Sequence, residues 1–346
     1  MRVLIVGEEA PGALSDSYAR AFRSLGAEVR RFCPRRAYAE ALPLPGAGTR
    51  VGKRLLRAVA LPVFNRRVRD ELADERADLV LVVKGEELSA ETVRWLRERT
   101  GAPVVNFYPD DPFGEARSNR MAYGTETLAA YDACFTFARH LFPAYRHAGV
   151  ERVHYLPFAR DPDQHSPPEA PGEPEFEVVF VGNLDAERVR WLEPLAAAGL
   201  RLAVFGEHTT AALPGRSPLR AATFLPASYG AGLARALARG AVSLNVMRLQ
   251  NAGSHNMRSF ESPACGAFTL SQRTPELAEL FREGEEVALF GSPEEMVAEA
   301  RRWLADPEGR RRVAEAGFRR VEHDTYAARA AEVLRRVGPA VPAGAP

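Results

Sequence analysis

Short apolar runs rich in β-branched residues alternate along the chain with longer segments whose apolar positions recur at helical spacing. The apolar runs of the first half read RVLIVG, EVRRF, DLVLVVKG, PVVNFYP, DACFTF and RVHYLPF. Between them the spacing predicts helices over residues 15–25, 51–75, 89–99 and 139–147. This alternation of strands and helices predicts a mainly parallel sheet with helices on both faces.

Residues 160–175, RDPDQHSPPEAPGEPE, interrupt this pattern with proline and acidic residues, a composition typical of a linker. The alternation restarts with FEVVFVGN and continues through RLAVFG, AVSLNV, AFTLS and EVALF. It closes with helices predicted over residues 293–304, 307–321 and 326–337 and a tail, GPAVPAGAP, predicted to be disordered. The sequence therefore predicts an α/β protein of two Rossmann-like domains facing each other across a cleft.

Composition excludes several classes of function. Of the 346 residues, 46% are apolar and 26% charged, and the formal net charge of +1 gives no basic footprint for nucleic acid. Three widely separated cysteines follow no metal-ligand spacing and indicate buried thiols in a reducing cytoplasm. The seven histidines form no ligand cluster, and DPD at 161–163 lies in the proline-rich segment, so no metal is predicted.

Membrane association is predicted to be peripheral at most. The start MRVLIVG lacks the parts of a signal peptide, and the apolar run 79–83 is far shorter than the roughly 20 residues of a spanning helix. Residues 50–70 interleave Arg and Lys with Leu and Val, as in helices that rest on anionic lipid or bind an acidic acceptor. A core-facing helix with a charged outer side has the same pattern.

Two common nucleotide motifs are missing. The first strand is followed by GEEAPGALSD, which lacks the G-x-G-x-x-G spacing of dinucleotide-binding proteins, and VGNLDAERV in the second half also lacks it. A phosphate-binding loop of the Walker A type is missing as well. Nicotinamide cofactors and P-loop chemistry are therefore not predicted.

The stretch HNMRSFESPACGAFTL, residues 255–270, carries a different nucleotide signal. A helix is predicted from Met257 to Cys265, ending at Gly266 in a position suited to positive φ. The start of a helix attracts phosphate, and Arg258 in the first turn would reinforce that site. Glu261, one turn later, can accept hydrogen bonds from a sugar diol. An anion beside a diol describes a nucleotide, whereas a surface Arg–Glu pair is the alternative.

Polar residues also follow two predicted strands of the first half. Lys84, one of only two lysines in the chain, ends DLVLVVKG. Asp110 and Asp111 follow the strand in NFYPDDP. The carboxyl ends of parallel strands face ligand sites, and a carboxylate there could act as a base toward an acceptor hydroxyl. Capping of the turn before Pro112 is the alternative reading.

Several motifs in order resemble one family of enzymes. HNMRSFESPACGAF, GEEVALF, HDTYAARAAEVL, YPDDP and YLPFARDPDQHSP together resemble the spore-maturation CgeB-type glycosyltransferases, related to the family 4 type and built on the GT-B fold. The resemblance implies transfer of a sugar from a nucleotide-diphosphate donor to an unidentified acceptor, without metal or cofactor. A GT-B epimerase or hydrolase, or a non-catalytic sugar-nucleotide binding protein, would share the donor site.

The resemblance also implies a domain plan. It assigns residues 1–158 to the acceptor side, residues 159–175 to a linker and residues 176–322 to donor binding. The helix in 323–337 is expected to pack back on the first domain, and residues 338–346 form the tail.

Three positions match donor-binding residues of the family: Glu261 for the ribose, Gly182 for close approach of the backbone, and Arg188 for the diphosphate. The sequence departs from the family 4 pattern at Gly253, where a Glu usually contacts the donor sugar, and at Asn183, where an Arg is frequent.

Three neighbouring residues are predicted to replace the missing Glu: His255, Asn256 and Arg258. From the first domain, Lys84, Asp110 and Asp111 are predicted to face the acceptor and the donor sugar.

Overall fold

The chain folds into two compact units in a computed structural model. One unit comprises Met1–Pro157 together with Tyr326–Pro346, and the other comprises Phe158–Thr325. The structure describes residues 1–10, 12–34, 50–114, 119–170, 172–207 and 213–337, with side chains from residue 60 onward in the helix that begins at residue 50. The predicted disordered tail lies outside these described residues.

The first unit contains a parallel sheet of six strands in the order β2-β1-β3-β4-β5-β6. The strands are β1 (Arg2–Val6), β2 (Glu28–Phe32), β3 (Leu79–Val83), β4 (Val104–Tyr108), β5 (Ala133–Thr136) and β6 (Val153–Tyr155). The described helices of this unit are α1 (Leu14–Ser24), α2 (Arg50–Glu71), α3 (Ala90–Thr100), α4 (Phe142–His147) and α11 (Tyr326–Val337).

The second unit contains another parallel sheet of six strands, in the order β12-β11-β10-β7-β8-β9. The strands are β7 (Phe176–Val181), β8 (Leu202–Phe205), β9 (Thr223–Leu225), β10 (Gly240–Asn245), β11 (Thr269–Gln272) and β12 (Ala288–Phe290). The described helices are α5 (Ala186–Ala197), α6 (Ala231–Ala238), α7 (Arg258–Ala264), α8 (Pro275–Leu280), α9 (Pro293–Leu304) and α10 (Pro307–Arg320).

Both faces of the second sheet are buried. Successive side chains of β7 point to opposite faces, and each face packs into an apolar cluster. Val178 and Phe180 pack into one apolar cluster, with residues of α5 and α9. Val179 and Val181 pack into another, with residues of α6. Burial on both faces explains why these strands read as continuous apolar runs. The predicted α/β architecture with helices on both faces is therefore confirmed.

The segment predicted as a linker differs from that prediction. Residues 158–175 belong to the second unit, and Asp161 and His165 within it are buried. The backbone N–H of Asp161 donates to His165 Nδ1 at 3.1 Å, and that of His165 to the Asp161 carbonyl at 2.7 Å. These local bonds form a tight turn that proline-rich composition alone does not reveal.

Several boundaries shift by a few residues. The helix predicted for 139–147 begins as a 3-10 turn, Arg139–Leu141, before α4, and the helix predicted for 51–75 ends at Glu71. Gly266 after α7 has a φ of 76°, the left-handed conformation predicted for it. No helix among the described residues is long and apolar enough to cross a membrane. The proposed lipid contact through 50–70 stays a prediction, since side chains 50–59 lie outside the description.

Candidate functional site

The strand order of the second sheet reverses between β7 and β10, and most predicted donor residues lie at this point. The chain passes from β7 outward to β9, then returns to the other side of β7 as β10. Gly182 follows the carboxyl end of β7, and Val246 follows that of β10. Ligands of open parallel sheets bind outside the carboxyl ends of the strands at such a reversal.

Arg188 spans this reversal point from the first turn of α5. Asp185 caps that helix, and its carboxylate accepts the backbone N–H of Arg188 at 2.9 Å. The guanidinium donates to the carbonyl of Asn183 at 2.8 Å, after β7, and to that of Val246 at 3.2 Å, after β10. Its charge lies 5.5 Å from the centre of the Phe180 ring. The side chain is therefore held in one orientation at the sheet edge.

Positive charge accumulates around Arg188. Burial lowers its pKa to about 10, and the nearby charges of Arg248 and Arg258 lower the pKa as well, against the opposing effect of Asp185. Arg248 lies 3.7 Å from the Asp185 carboxylate. Three guanidinium groups share this region with two carboxylates, those of Asp185 and Glu261, and the remaining positive charge favours the binding of an anion.

Arg258 and Glu261 form an ion pair on α7. The Nε–H of Arg258 also donates to the carbonyl of Val181 at 3.3 Å, so the last residue of β7 anchors the helix. Glu261 is only 5% exposed, which rules out the alternative of a solvated surface pair. The structure thus brings Arg188, Arg258 and Glu261 to one edge of the second sheet.

The protein itself does not require glycine at position 182. Its φ lies outside the left-handed region, and a Cβ placed there would approach no atom closer than 3.4 Å. Gly240 differs, because a Cβ there would lie 2.5 Å from Val179 Cγ1. Asn183, next along the chain, is exposed, and its side-chain oxygen accepts the N–H of Glu207 at 3.3 Å. A methyl group at position 182 would therefore fit in van der Waals contact with Phe180 and Arg188.

Asn256 has a structural role in place of the predicted donor contact. It exchanges hydrogen bonds with the amide of Asn245, at 2.8 and 3.1 Å, and its oxygen accepts the N–H of Ser259 at 3.1 Å. The bond to Ser259 caps the first turn of α7, so one N–H that the sequence analysis assigned to phosphate is already satisfied. The side-chain amide of Asn256 is thus engaged within the protein.

His255 is fully buried, at 0% exposure, and this contradicts its predicted contact with the donor sugar. Its Nε2 accepts the N–H of Phe158 at 3.2 Å, and its Nδ1 lies 3.2 Å from the carboxylate of Glu276. Acceptance at Nε2 places the proton on Nδ1, directed at that carboxylate. The rings of Phe158 and Phe260 pack edge-on against it. The imidazole holds the second unit together and has no atom to offer a ligand.

The first sheet reverses its order between β1 and β3, and Lys84 follows β3 at that point. Lys84 has a φ of 65°, the only positive φ of a non-glycine residue in the described part of the chain. Its Nζ lies 2.9 Å from the Glu86 carboxylate and 3.4 Å from that of Asp110. Burial lowers the pKa of Lys84, but Asp110 and Glu86 raise it by more, so the ammonium stays charged.

The two predicted aspartates have different surroundings. Asp110 faces Lys84, whereas Asp111 accepts the N–H of Phe113 at 2.9 Å. The bond to Phe113 is the turn-capping role that the sequence analysis left open as the alternative. The structure therefore brings Asp110, and not Asp111, to the ammonium of Lys84.

Two acidic residues near Lys84 were missed from the sequence. Burial raises the pKa of Glu87 to about 7, and the neighbouring charge of Glu86 also raises it. The doublet GEE directly after β3 carries the same signal as DD after β4, namely carboxylates at the carboxyl end of a parallel strand. A Glu with a pKa near neutrality can exchange protons at physiological pH.

His165 and Arg248 were missed in the second unit. His165 Nε2 lies 3.6 Å from Glu261 Oε1, with both side chains less than a tenth exposed. Its position in a proline-rich segment concealed it, while Arg248, just after β10, could have been found from its place at a strand end. Within the described ranges, no group of three or more His, Cys, Asp or Glu side chains could hold a metal ion.

Comparison with known proteins identifies the region that carries the site. Residues 188–335 match the model of a protein family described as glycosyl transferase-like. This stretch includes Arg188, Arg258 and Glu261. No curated protein matches the chain.

Solved structures match the whole chain at low sequence identity. Sucrose-phosphate synthase from Thermosynechococcus elongatus is 15% identical, with a TM-score of 0.67 over 97% of this chain and 98% of that one. An apo structure of OtsA is 13% identical, with a TM-score of 0.67 over 99% and 100%. HepE of Anabaena in complex with UDP-glucose is 14% identical, with a TM-score of 0.65 over 97% and 100%. The fold matches confirm the predicted GT-B fold, and the family match over residues 188–335 agrees with the prediction of a glycosyltransferase.

Proposed function

We propose that this chain is a metal-independent glycosyltransferase of the CgeB type, which moves a hexosyl or pentosyl group from a nucleotide-diphosphate sugar to an acceptor. The donor is a substrate, and the proposed reaction uses no cofactor. The observation that carries the proposal is the convergence of Arg188 and Arg258 at the strand reversal of the second sheet. Gly182, which internal packing does not require to be glycine, lies beside Arg188.

The arginines supply the main chemical assistance in this proposal. As the glycosidic bond breaks, negative charge grows on the departing diphosphate, and preorganised guanidinium groups stabilise it there. Their bonds to strand carbonyls fix them before the donor arrives, so little reorganisation accompanies the reaction. They provide positive charge that a divalent cation would supply in other phosphoryl and glycosyl transfers.

Glu261 accepts hydrogen bonds from the ribose diol of the donor in this proposal. Its carboxylate is buried, and the pairing of its Oε2 with Arg258 orients it. A ribose hydroxyl bound to an ionised acceptor contributes about 1.5–3 kcal/mol, enough for specificity at this end of the donor.

The acceptor is assigned to the edge of the first sheet. Lys84, Asp110 and Glu87 lie together after β3 and β4. Asp110 or Glu87 would take the proton of the acceptor hydroxyl in an inverting reaction, and a retaining reaction would leave both as orienting groups. Strain in the backbone of Lys84 supports a functional role for this edge, since such conformations concentrate at functional sites.

UDP-glucose is the first donor to test, because HepE, which shares the fold, forms complexes with UDP and with UDP-glucose. We expect UDP, or another member of a panel of ADP, CDP, GDP and TDP with their sugars, to raise the melting temperature of the protein. Arg188→Gln and Glu261→Gln should each weaken binding about 10–100-fold by calorimetry.

Arg190→Gln is the matched control. Arg190 lies two residues along the same helix, is exposed and pairs with Glu187. The Arg190→Gln variant should bind the nucleotide with the affinity of wild type. Absence of stabilisation by every nucleotide would overturn the proposal, as would equal binding by Arg188→Gln and Arg190→Gln. Release of free sugar or an epimer from the donor alone would identify a hydrolase or an epimerase instead.

A further inference from the structure

We infer that His165 is a positioning residue that holds the Glu261 carboxylate in the orientation that the donor ribose requires. The inference rests on the proposed function, because it presumes that Glu261 receives the ribose. It extends that function to the first residues of the second unit, a segment whose proline-rich composition predicts a linker.

The tautomer of His165 follows from its turn. Its Nδ1 accepts the backbone N–H of Asp161 at 3.1 Å, and the backbone N–H of His165 donates to the Asp161 carbonyl at 2.7 Å. A neutral imidazole that accepts at Nδ1 carries its proton on Nε2. The ring therefore directs an N–H at whatever lies opposite Nε2, with little freedom to turn away.

Glu261 lies opposite that N–H. The distance from His165 Nε2 to Glu261 Oε1 is 3.6 Å, slightly longer than a hydrogen bond. The side chains of His165 and Glu261 are 8% and 6% exposed, so the contact is shielded from water. Movement of the carboxylate by about 0.6 Å would complete a hydrogen bond.

The two carboxylate oxygens then have separate partners. Arg258 holds Oε2, and His165 faces Oε1. A glutamate carboxylate with a partner at only one oxygen can rotate about χ3, because the energy wells of that torsion are broad. A second N–H at the other oxygen fixes the plane of the carboxylate. The remaining lone pairs then point in one direction, where a diol can donate to them.

The same segment contacts α7 and its approach at a second place. Phe158, the first residue of the second unit, donates its N–H to His255 at 3.2 Å, and their rings pack edge-on. The segment from Phe158 to His165 therefore supports both His255, three residues before the helix, and the carboxylate within the helix. This assigns His255 to positioning as well, in place of the predicted contact with the sugar.

The test compares UDP with 2′,3′-dideoxy-UDP, which lacks the two hydroxyls that Glu261 would bind. If the nucleotide panel selects another base, the corresponding pair of that base is used. Wild type should prefer UDP about 10-fold or more, as a hydrogen bond to a charged group predicts. Glu261→Gln should reduce that preference to about 3-fold or less.

Two substitutions of His165 separate positioning from packing. His165→Phe keeps a planar ring and removes the N–H, so it should lose the preference as Glu261→Gln does. His165→Gln places an amide N–H near the position of Nε2 and should retain most of the preference. Thermal denaturation checks that each variant folds. A purely structural defect would weaken the binding of UDP and of dideoxy-UDP equally.

The outcomes distinguish the inference from the function on which it rests. Full preference in a folded His165→Phe variant would overturn the inference while leaving donor binding intact. Binding of UDP by wild type without any preference for its hydroxyls would overturn the placement of the ribose on Glu261, and the inference with it. Failure of wild type to bind any nucleotide would overturn the proposed function itself.

Discussion

At the scale of single residues, position in the sheet selects the chemically important side chains better than residue type does. Arg188 and Lys84 each lie where the strand order of one sheet reverses. The imidazole of His255 can act as acid, base or ligand, which neither Arg188 nor Lys84 can do as readily. Its ring is nevertheless enclosed by apolar and acidic neighbours. Burial with both nitrogens engaged removes a histidine from chemistry that needs contact with a ligand.

Glu87 provides a prediction about pH. Its pKa is raised from 4.5 to about 7 in the folded protein. The protein therefore takes up protons when it folds at pH values between about 4.5 and 7. The stability cost of burying this carboxyl is absent below about pH 4.5 and complete above about pH 7. Glu87→Gln should therefore stabilise the protein by about 1–3 kcal/mol at pH 8, after allowance for screening by solvent, and by much less at pH 5.

Urea denaturation at pH 5 and pH 8 measures this difference. Glu98→Gln, on the exposed side of α3, is the control and should change stability by less than about 0.5 kcal/mol at both values of pH. An equal effect of Glu87→Gln at the two pH values would show that its carboxyl is not the titrating group.

At the scale of elements, close packing against backbone can reverse the usual effect of a helical glycine. Gly317 lies inside α10, where alanine would ordinarily gain about 1 kcal/mol of helix stability. A Cβ at this position would lie 2.6 Å from the carbonyl oxygen of Glu286, and a backbone atom cannot move aside cheaply. Gly317→Ala should therefore destabilise the protein by about 1–3 kcal/mol.

Gly232 in α6 is the matched comparison. A Cβ there would have no neighbour closer than 3.8 Å, so Gly232→Ala should stabilise by about 0.5–1 kcal/mol. Chemical denaturation of the two variants should give changes of opposite sign. The same sign for both would mean that helix propensity, and not the contact with Glu286, governs position 317.

At the scale of the whole molecule, the chain returns at its end to the unit in which it began. Helix α11 packs on α1, where the ring centres of Tyr18 and Tyr326 lie 5.3 Å apart and both side chains are buried. Arg329 on the same helix donates to the carbonyl of Pro157 at 3.0 Å. The last helix is thus a structural part of the first unit.

Tyr326→Ala should destabilise the first unit by about 3–5 kcal/mol, the usual cost of removing a buried aromatic ring. Hydrogen exchange should quicken in β1–β6 and stay unchanged in β7–β12, since each sheet belongs to a separate unit. Tyr229→Ala, at a position 47% exposed, is the control and should change neither sheet. Equal loss of protection in both sheets would contradict independent units.

The sequence by itself determined the two α/β units, the order of their elements, the strand ends that carry Lys84 and Asp110, and the helix after β7 that carries Arg188. Helices, strands and turns follow from the spacing of apolar residues and the positions of glycine, which are local properties of the chain. They can therefore be predicted from a single sequence. The motif also predicted that Arg258 and Glu261 share one face of a helix, and the two side chains form an ion pair there, whereas the contact of Glu261 with a ribose stays a prediction.

Only the tertiary structure decided which polar groups meet. It paired Phe158 with His255, 97 positions apart, and placed His165 from a proline-rich segment against Glu261. Periodicity predicts that a side chain faces inward, but not which partner lies opposite, because that depends on the packing of elements distant in sequence. Hence the sequence predicted a contact of His255 with the donor sugar and placed His165 in a linker. Burial and hydrogen bonding give both residues structural roles.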